Sequence, residues 1–329
     1  MCTALSIKAD NGEYFFGRNM DLAYEFNQCP MIIPRNYEIE NKVTGEYLSN
    51  KYAIMAMGTI IDNHPALADG MNEKGLACAG LNFTGYGYFE EKPVEGKINI
   101  APYDFIGWIL SNHSTVDEVR EELSNLELVN VPINDKTPVS ILHWMITDKS
   151  GKSIVVEKTK DKFAVYNNPV GVMTNNPTFD WHLTNLNEYV KLSPDNPSDT
   201  SWSDKKLSPL GIGAGTLGIP GDFASVSRFV RIAYIRANMP SIENDIKAIT
   251  QFFHMLDYVK MVKGGVITAD GLEDLTLYSS CMDQEKGIYY YKNYNNSRIN
   301  AVDMNKEDLN AKEIKKFEYL TNQDINYQN

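Results

Sequence analysis

The stretch "MCTALSIKADNGEYFFGRNMD", residues 1–21, decides how the rest of the chain is read. Thr3 to Lys8 alternates apolar and polar residues, Asp10-Asn11-Gly12 supplies turn chemistry, and Glu13 to Gly17 resumes an apolar, aromatic run, which predicts a β-hairpin. Counting outward from a turn at Asn11-Gly12 pairs residue 2 with roughly residue 20. The hairpin therefore sets Arg18 and Asp21 beside Cys2. Cys2 is either a small apolar residue packed at the head of a strand or a nucleophile. A small second residue permits removal of Met1, after which Cys2 would carry a thiol and a free α-amine on one carbon. Reference values of about 8.5 for a thiol and about 7.7 to 8.0 for an α-amine make proton transfer between them nearly thermoneutral. A guanidinium near the sulfur favours thiolate, and a carboxylate near the amine orients it and holds its proton. The plainer alternative for Arg18 and Asp21 is a surface ion pair.

Composition narrows the field around that hairpin. Of 329 residues, 43% are hydrophobic and 22% charged, enough apolar material for a folded core. A net charge of −12 repels nucleic acid phosphates and anionic lipid surfaces, so neither is an expected partner. No run approaches the roughly 20 apolar residues of a membrane span, and no early stretch has the layout of a secretory signal, so the expected compartment is the cytoplasm. Four cysteines, Cys2, Cys29, Cys78 and Cys281, form no C-x-x-C pair, which argues against a zinc knuckle or a thioredoxin-type couple. A lipid anchor on Cys2 would need a hydrophobic segment upstream, where only Met1 stands. No metal or organic cofactor is expected.

Along the chain, Tyr52 to Thr59 and Leu76 to Phe83 read as strands flanking "DGMNEKG", in which Asp69-Gly70 and Glu73-Lys74-Gly75 read as turns. Pro102 opens a helix through "YDFIGWILSNH", with Phe105, Ile106, Ile109 and Leu110 on one face, and Thr115 to Glu118 is a capping box before "VDEVREELSNL". "VSILHWMITDKSGKSIVVEKT" and "KFAVYNN" continue as a strand meander. A Pro- and Asp-rich connector, 194–209, and a glycine-rich run lead to two amphipathic helices, 224–239 and 241–259. "LTLYSSCM", "GIYYYKNY" and "SRINAVD" return to strands. Strands and helices come in blocks without regular β-α alternation, which predicts an α+β fold of sheets layered with helices. Length alone allows two domains, but a layered fold of this size forms one unit, taken here as 1–329.

Two further patterns in the sequence compete with this reading. His64, His113, His143, His182 and His254 share no motif that would mark a Cys-His pair. Gly213 to Gly218 fits G-x-G-x-x-G, but Ser208-Pro209 precedes the run and Pro220-Gly221 follows it, so no helix N-terminus faces the loop as dinucleotide binding requires. Asn82 and Asn175, read alone, are turn-capping asparagines.

The blocks "MCTALSI", "FFGRNMD", "PRNY" at 34–37, "NEKGLACAGLNF", "GVMTNNPTFDWH" and "GIPGDFASVSRFVR" together resemble the choloylglycine hydrolases, the conjugated bile salt hydrolases and penicillin V acylases of the N-terminal nucleophile group. The likeness runs from residue 2 to about residue 298. It implies a four-layer αββα sandwich of two antiparallel sheets between helix layers, with Cys2 as nucleophile after loss of Met1, and a homotetramer. It places the catalytic set on Cys2, Arg18, Asp21, Asn82, Asn175 and Arg228, with Asn82 and Asn175 as donors to an oxyanion. Asparagine at position 82, where penicillin V acylases tend to carry tyrosine, implies conjugated bile acids as substrates. Leu22, Ala23, Phe26, Ile61, Phe83 and the loop from Val129 to Pro138 are the expected apolar walls. Gly211-Ile212-Gly213 resembles a loop form linked to taurine conjugates. A penicillin V acylase and a non-catalytic bile-acid binder are the alternatives.

Overall fold

Residues 1–329 are described by a computed structural model, the side chain of Ser49 excepted. The opening hairpin forms as predicted: strand β1 (Cys2–Lys8) and strand β2 (Tyr14–Leu22) pair antiparallel with Cys2 opposite Met20. Gly12, at φ +92°, takes the left-handed position of the turn, and Asn11 Oδ1 accepts from Glu13 N. This hairpin lies inside the first antiparallel sheet, between Val172–Met173 on one side and Glu273–Asp283, Ile288–Asn293 and Asn300–Asp303 on the other, in that order. The second sheet runs Phe163–Asn167, Ser153–Lys158, Leu142–Thr147, Ala77–Asn82, His64–Asn72, Ile54–Ile61, Cys29–Ile33, Lys315–Lys316, again antiparallel throughout.

Strand periodicity sorts the core into layers. Met55, Met57, Ala77, Ala79, Leu81, Met145 and Val155 share one apolar cluster with Ala4, Leu5, Phe15 and Phe16 of the hairpin. Their neighbours of opposite parity, Ile54, Ala56, Cys78, Trp144, Ile146, Ile154 and Val156, instead meet helices α1 (Phe105–Asn112) and α2 (Val116–Leu123). Two further helices, α4 (Ser225–Ala237) and α5 (Asp245–Asp257), cover the other face of the first sheet through Phe229, Ile232, Phe252 and Leu256. Between α2 and α4 in sequence lies the short α3 (Phe179–Asn185). The result is the helix-sheet-sheet-helix layering expected, in an α+β fold.

The helix signals held in detail. Pro102 begins a 3-10 turn that feeds α1, Thr115 Oγ1 accepts from Glu118 N at the head of α2, and Asn244 Oδ1 accepts from Lys247 N at the head of α5. Two expectations fail. Asp69-Gly70 is not a turn but the interior of the His64–Asn72 strand: Asp69 is buried and accepts from the hydroxyls of Tyr278 and Tyr289 at 2.6 Å each, and a Cβ at Gly70 would meet the Ala56 Cβ at 2.8 Å. The connector 194–209 contains a small hairpin, Thr200–Trp202 with Lys205–Leu207. Helix α3 lies in a stretch that carries no long apolar stripe.

Candidate active site

Sheet register brings the hairpin residues to one place. Cys2 is 4% exposed, and its sulfur faces a cleft of about 310 Å3 lined by Met1, Arg18, Met20, Asp21, Leu22, Phe26, Ile61, Asn82, Tyr103 and Leu142 among others. Arg18 Nη2 points at Cys2 Sγ; the same guanidinium donates from Nη1 to the carbonyls of Gly80 and Ala68 and from Nε to that of Asn19. Fully buried, Arg18 makes no carboxylate ion pair among the described residues, and its fork is turned to the Cys2 sulfur. Burial works against its charge, but Cys2, Tyr278, Asp69 and Asp21 outweigh burial and raise its pKa.

With Met1 in place, Cys2 N is a peptide nitrogen. It donates to Asn175 Oδ1 at 2.7 Å, and Arg228 Nη2 donates to the same oxygen at 2.8 Å. Two donors on one atom fix which way the amide points, so Asn175 Nδ2 is the end that donates to Asn82 O, at 2.8 Å, with its second N–H unassigned. Arg228 lies on α4, buried, and Nη1 also donates to Cys2 O and to Thr3 Oγ1. Arg231, one turn on, bonds instead to the carbonyls of Pro220 and Asp222, which separates the two arginines as the motif required. Asn82 sits exposed at the cleft; its side-chain oxygen accepts from Thr84 N and Oγ1. Asp21 is buried: Oδ1 accepts from Thr276 Oγ1, and Oδ2 has no partner. Burial pushes its pKa up against the pull of Arg228, the terminal ammonium and Thr276. Met1 itself closes the strand pair, donating from its ammonium to Asp21 O at 2.7 Å and accepting from Asp21 N at 2.9 Å.

The expected walls divide. Leu22, Phe26 and Ile61 line the cleft, as do Ile133, Thr137 and Pro138 of the loop 129–138. Ala23 faces a neighbouring pocket with Lys263 and Tyr294. Phe83 is a correction: the strand that turns Asn82 outward sends the next side chain in, where it is fully buried and stacks on His143 at 4.2 Å. Met20, Tyr103 and Leu142 also line the cleft; the hairpin register, Cys2 opposite Met20, is the one sequence signal for any of them. His64 pairs with Asp104 and His113 with Glu122, and His143 and His182 bond main-chain carbonyls, so none of these four serves Cys2. The G-x-G-x-x-G run forms a 3-10 turn, Ala214–Thr216, held by Asn196, with no helix opening on it. Among the described residues no group of three or more His, Cys, Asp or Glu side chains could hold a metal ion.

Residues 2–317 match the family of linear amide C-N hydrolases described as the choloylglycine hydrolase family. The chain belongs to the choloylglycine hydrolase family. It is 49% identical over 329 residues to the bile salt hydrolase/transferase of Clostridium perfringens, covering 100% of both chains. The crystal structure of the C2A mutant of conjugated bile acid hydrolase from the same organism superposes with a TM-score of 0.96, at 48% identity and with 100% of both chains covered. A penicillin V acylase from Agrobacterium tumefaciens shares the fold at a TM-score of 0.75 and 25% identity, covering 96% of this chain and 90% of that one. The fold is thus the N-terminal nucleophile sandwich that the family resemblance implied.

Proposed function

We propose that this chain is a bile salt hydrolase, cleaving the amide bond that joins a bile acid to glycine or taurine. The observation that carries this reading is the Cys2 sulfur at the floor of a largely apolar cleft, with the Arg18 guanidinium behind it and the backbone nitrogen of the same residue held by Asn175. An apolar cleft with few convergent polar groups suits a steroid body presenting one amide. The names of the relatives support the same substrate class.

Loss of Met1 turns Cys2 N into an amine and frees the Asp21 main-chain groups that Met1 occupied. The Cys2 sulfur attacks the amide carbonyl; the α-amine takes the thiol proton and delivers it to the leaving nitrogen, and a thioester remains on Cys2. Water, activated by the same amine, then releases the free bile acid. The free N–H of Asn175 Nδ2 and the Asn82 amide are the groups for the developing oxyanion, and loss of one such donor costs about 100- to 1000-fold in rate. The unpartnered Asp21 Oδ2 suits the Cys2 ammonium, and Arg228 holds Asn175 and Cys2 O in register. The same thioester handed to an amine instead of water would account for a transferase activity such as the relatives' names include. No cofactor enters this chemistry.

Residues 1–329 act as one unit in this reading, and the protein works in the cytoplasm; among the described residues no helix is long and apolar enough to cross a membrane. Val190, Trp202, Leu210, Ile212 and Leu217, each at least 75% exposed along one arm of the chain, support a homo-oligomer, taken as a tetramer. Penicillin V acylase activity is the second reading, supported by the shared fold and opposed by Asn82. The test is amine release from glycocholate, taurocholate and penicillin V, with intact mass to read the state of Met1. Bile-amide turnover abolished by Cys2→Ala is expected; turnover that survives in Cys2→Ala, or in protein retaining Met1, overturns the mechanism.

A further inference from the structure

Two buried histidines stand directly behind Asn175 without reaching the cleft. His143, on Leu142–Thr147, has Nδ1 3.0 Å from Glu157 Oε1 and Nε2 2.9 Å from the carbonyl of Thr174. A main-chain carbonyl only accepts, so Nε2 donates to Thr174 O, while Glu157 holds the Nδ1 side of the ring. His182, on α3, has Nε2 2.9 Å from the carbonyl of Asn175, the next residue, and its Nδ1 is buried without a partner. That tautomer is the one with hydrogen on Nε2. Glu157 ties the two rings together: it holds His143 and also accepts from Phe179 N at 3.0 Å, at the first turn of the helix that carries His182.

Stacking extends the same arrangement. His143 lies on Phe83 at 4.2 Å and 9°, next in sequence to Asn82; His182 lies on Phe229 at 4.5 Å and 16°, next in sequence to Arg228. Asn82 and Arg228, together with Cys2 N, are the groups that bond the Asn175 side chain. Ser225 Oγ accepts from Asn175 N at 2.9 Å, so every polar main-chain group of Asn175 is held. The segment needs this support because the short strand Val172–Met173 ends the sheet ladder before Thr174.

We propose that His143 and His182 are a pair of positioning residues for Asn175, each donating a ring N–H to one of two consecutive carbonyls so that the Asn175 amide is held between Cys2 N, Arg228 and Asn82. Burial pushes the His182 pKa down to about 4, against its bond to Asn175, so the ring stays a neutral single donor near pH 7. The proposal deepens, and rests on, the reading of Cys2 and Asn175 as reacting machinery.

The experiment compares His182→Leu, which removes the ring donor, with His182→Gln, which returns an N–H at the Nε2 position. Steady-state amine release from glycocholate is measured alongside hydrogen exchange of the peptide covering 172–178. His182→Leu is expected to lower kcat roughly 10- to 100-fold with KM within about twofold, by analogy with the loss of hydrogen bonds that orient the ligands of a metal. Exchange in 172–178 should rise, and His182→Gln should restore both. Unchanged exchange in His182→Leu, raised exchange with unchanged kcat, or a Gln variant as impaired as Leu at equal melting temperature overturns the proposal. Should His182→Leu not fold, His182→Asn replaces it, its amide too short to reach; equal kcat for Asn and Gln is then the overturning result. Absence of amine release from the unsubstituted protein would overturn the substrate reading alone, since exchange reports the clamp without substrate.

Discussion

At the scale of single residues, charge placement explains more than burial. Arg18 is fully buried yet its guanidinium is satisfied by three carbonyls and two sulfurs, those of Cys2 and Met20, so the cost of desolvation is met by hydrogen bonds without a neutralising carboxylate in contact. Arg18→Leu is expected to cut kcat/KM for bile-amide hydrolysis about 100- to 1000-fold, in line with loss of one preorganised charged donor. Arg18→Lys keeps the charge but not the fork, leaves Gly80 O or Ala68 O unpaired, and should recover only part of that loss. Alkylation of Cys2 by iodoacetamide, followed by mass, separates an effect on the thiol from one on substrate binding. The roles proposed for Arg18 and Asp21 were legible in the sequence because a hairpin has a counting rule. Asn175 and Arg228 had none, being 173 and 226 residues from Cys2, and only the resemblance of whole blocks pointed to them.

Among elements, tight packing between strands accounts for the Asp69-Gly70 segment, which local propensity assigns to a turn. Gly70→Val would drive a side chain into Ala56 and the Met55 carbonyl and is expected to destabilise the fold by about 1 to 3 kcal/mol, measured as a shift of the urea midpoint. Thr115→Ala removes the cap of α2 and should cost about 1 kcal/mol by the same assay, with kcat unchanged. The reading of Asp69-Gly70 as a turn followed ordinary local propensity. What overrode it was tertiary: the Asp69 carboxylate is satisfied by two tyrosines more than 200 residues away, and Gly70 makes room for a neighbouring strand. Capped, periodic helices were legible for the opposite reason, since their signals are local. Helix α3 escaped because its N-terminus is held by Glu157 from another sheet.

For the whole molecule, pH and association are the accessible readouts. A free imidazole titrates near about 6.5, whereas burial holds His182 at about 4, so between those values the unfolded chain binds a proton that the native state refuses. Stability therefore falls on acidification across that window, by about 3 kcal/mol from this group. Asp21 and Asp69, pushed up by burial, contribute with the opposite sign. The loss of melting temperature between pH 7 and pH 4.5 is expected to be smaller in His182→Gln than in the unsubstituted protein; an equal loss would refute the assignment. A tetramer is expected by light scattering, and Leu210→Asp with Ile212→Asp should reduce its mass without unfolding the subunit.

Arg18 belongs to the first sheet by backbone and to the second by its bonds to Gly80 and Ala68. The reactive sulfur is thus addressed by a side chain that also rivets the two halves of the sandwich along their seam. Any breathing of that seam must drag the guanidinium off the sulfur long before strands come apart. On slow heating, turnover should fade ahead of the circular dichroism signal, making the enzyme's own activity the earliest gauge of its loosening.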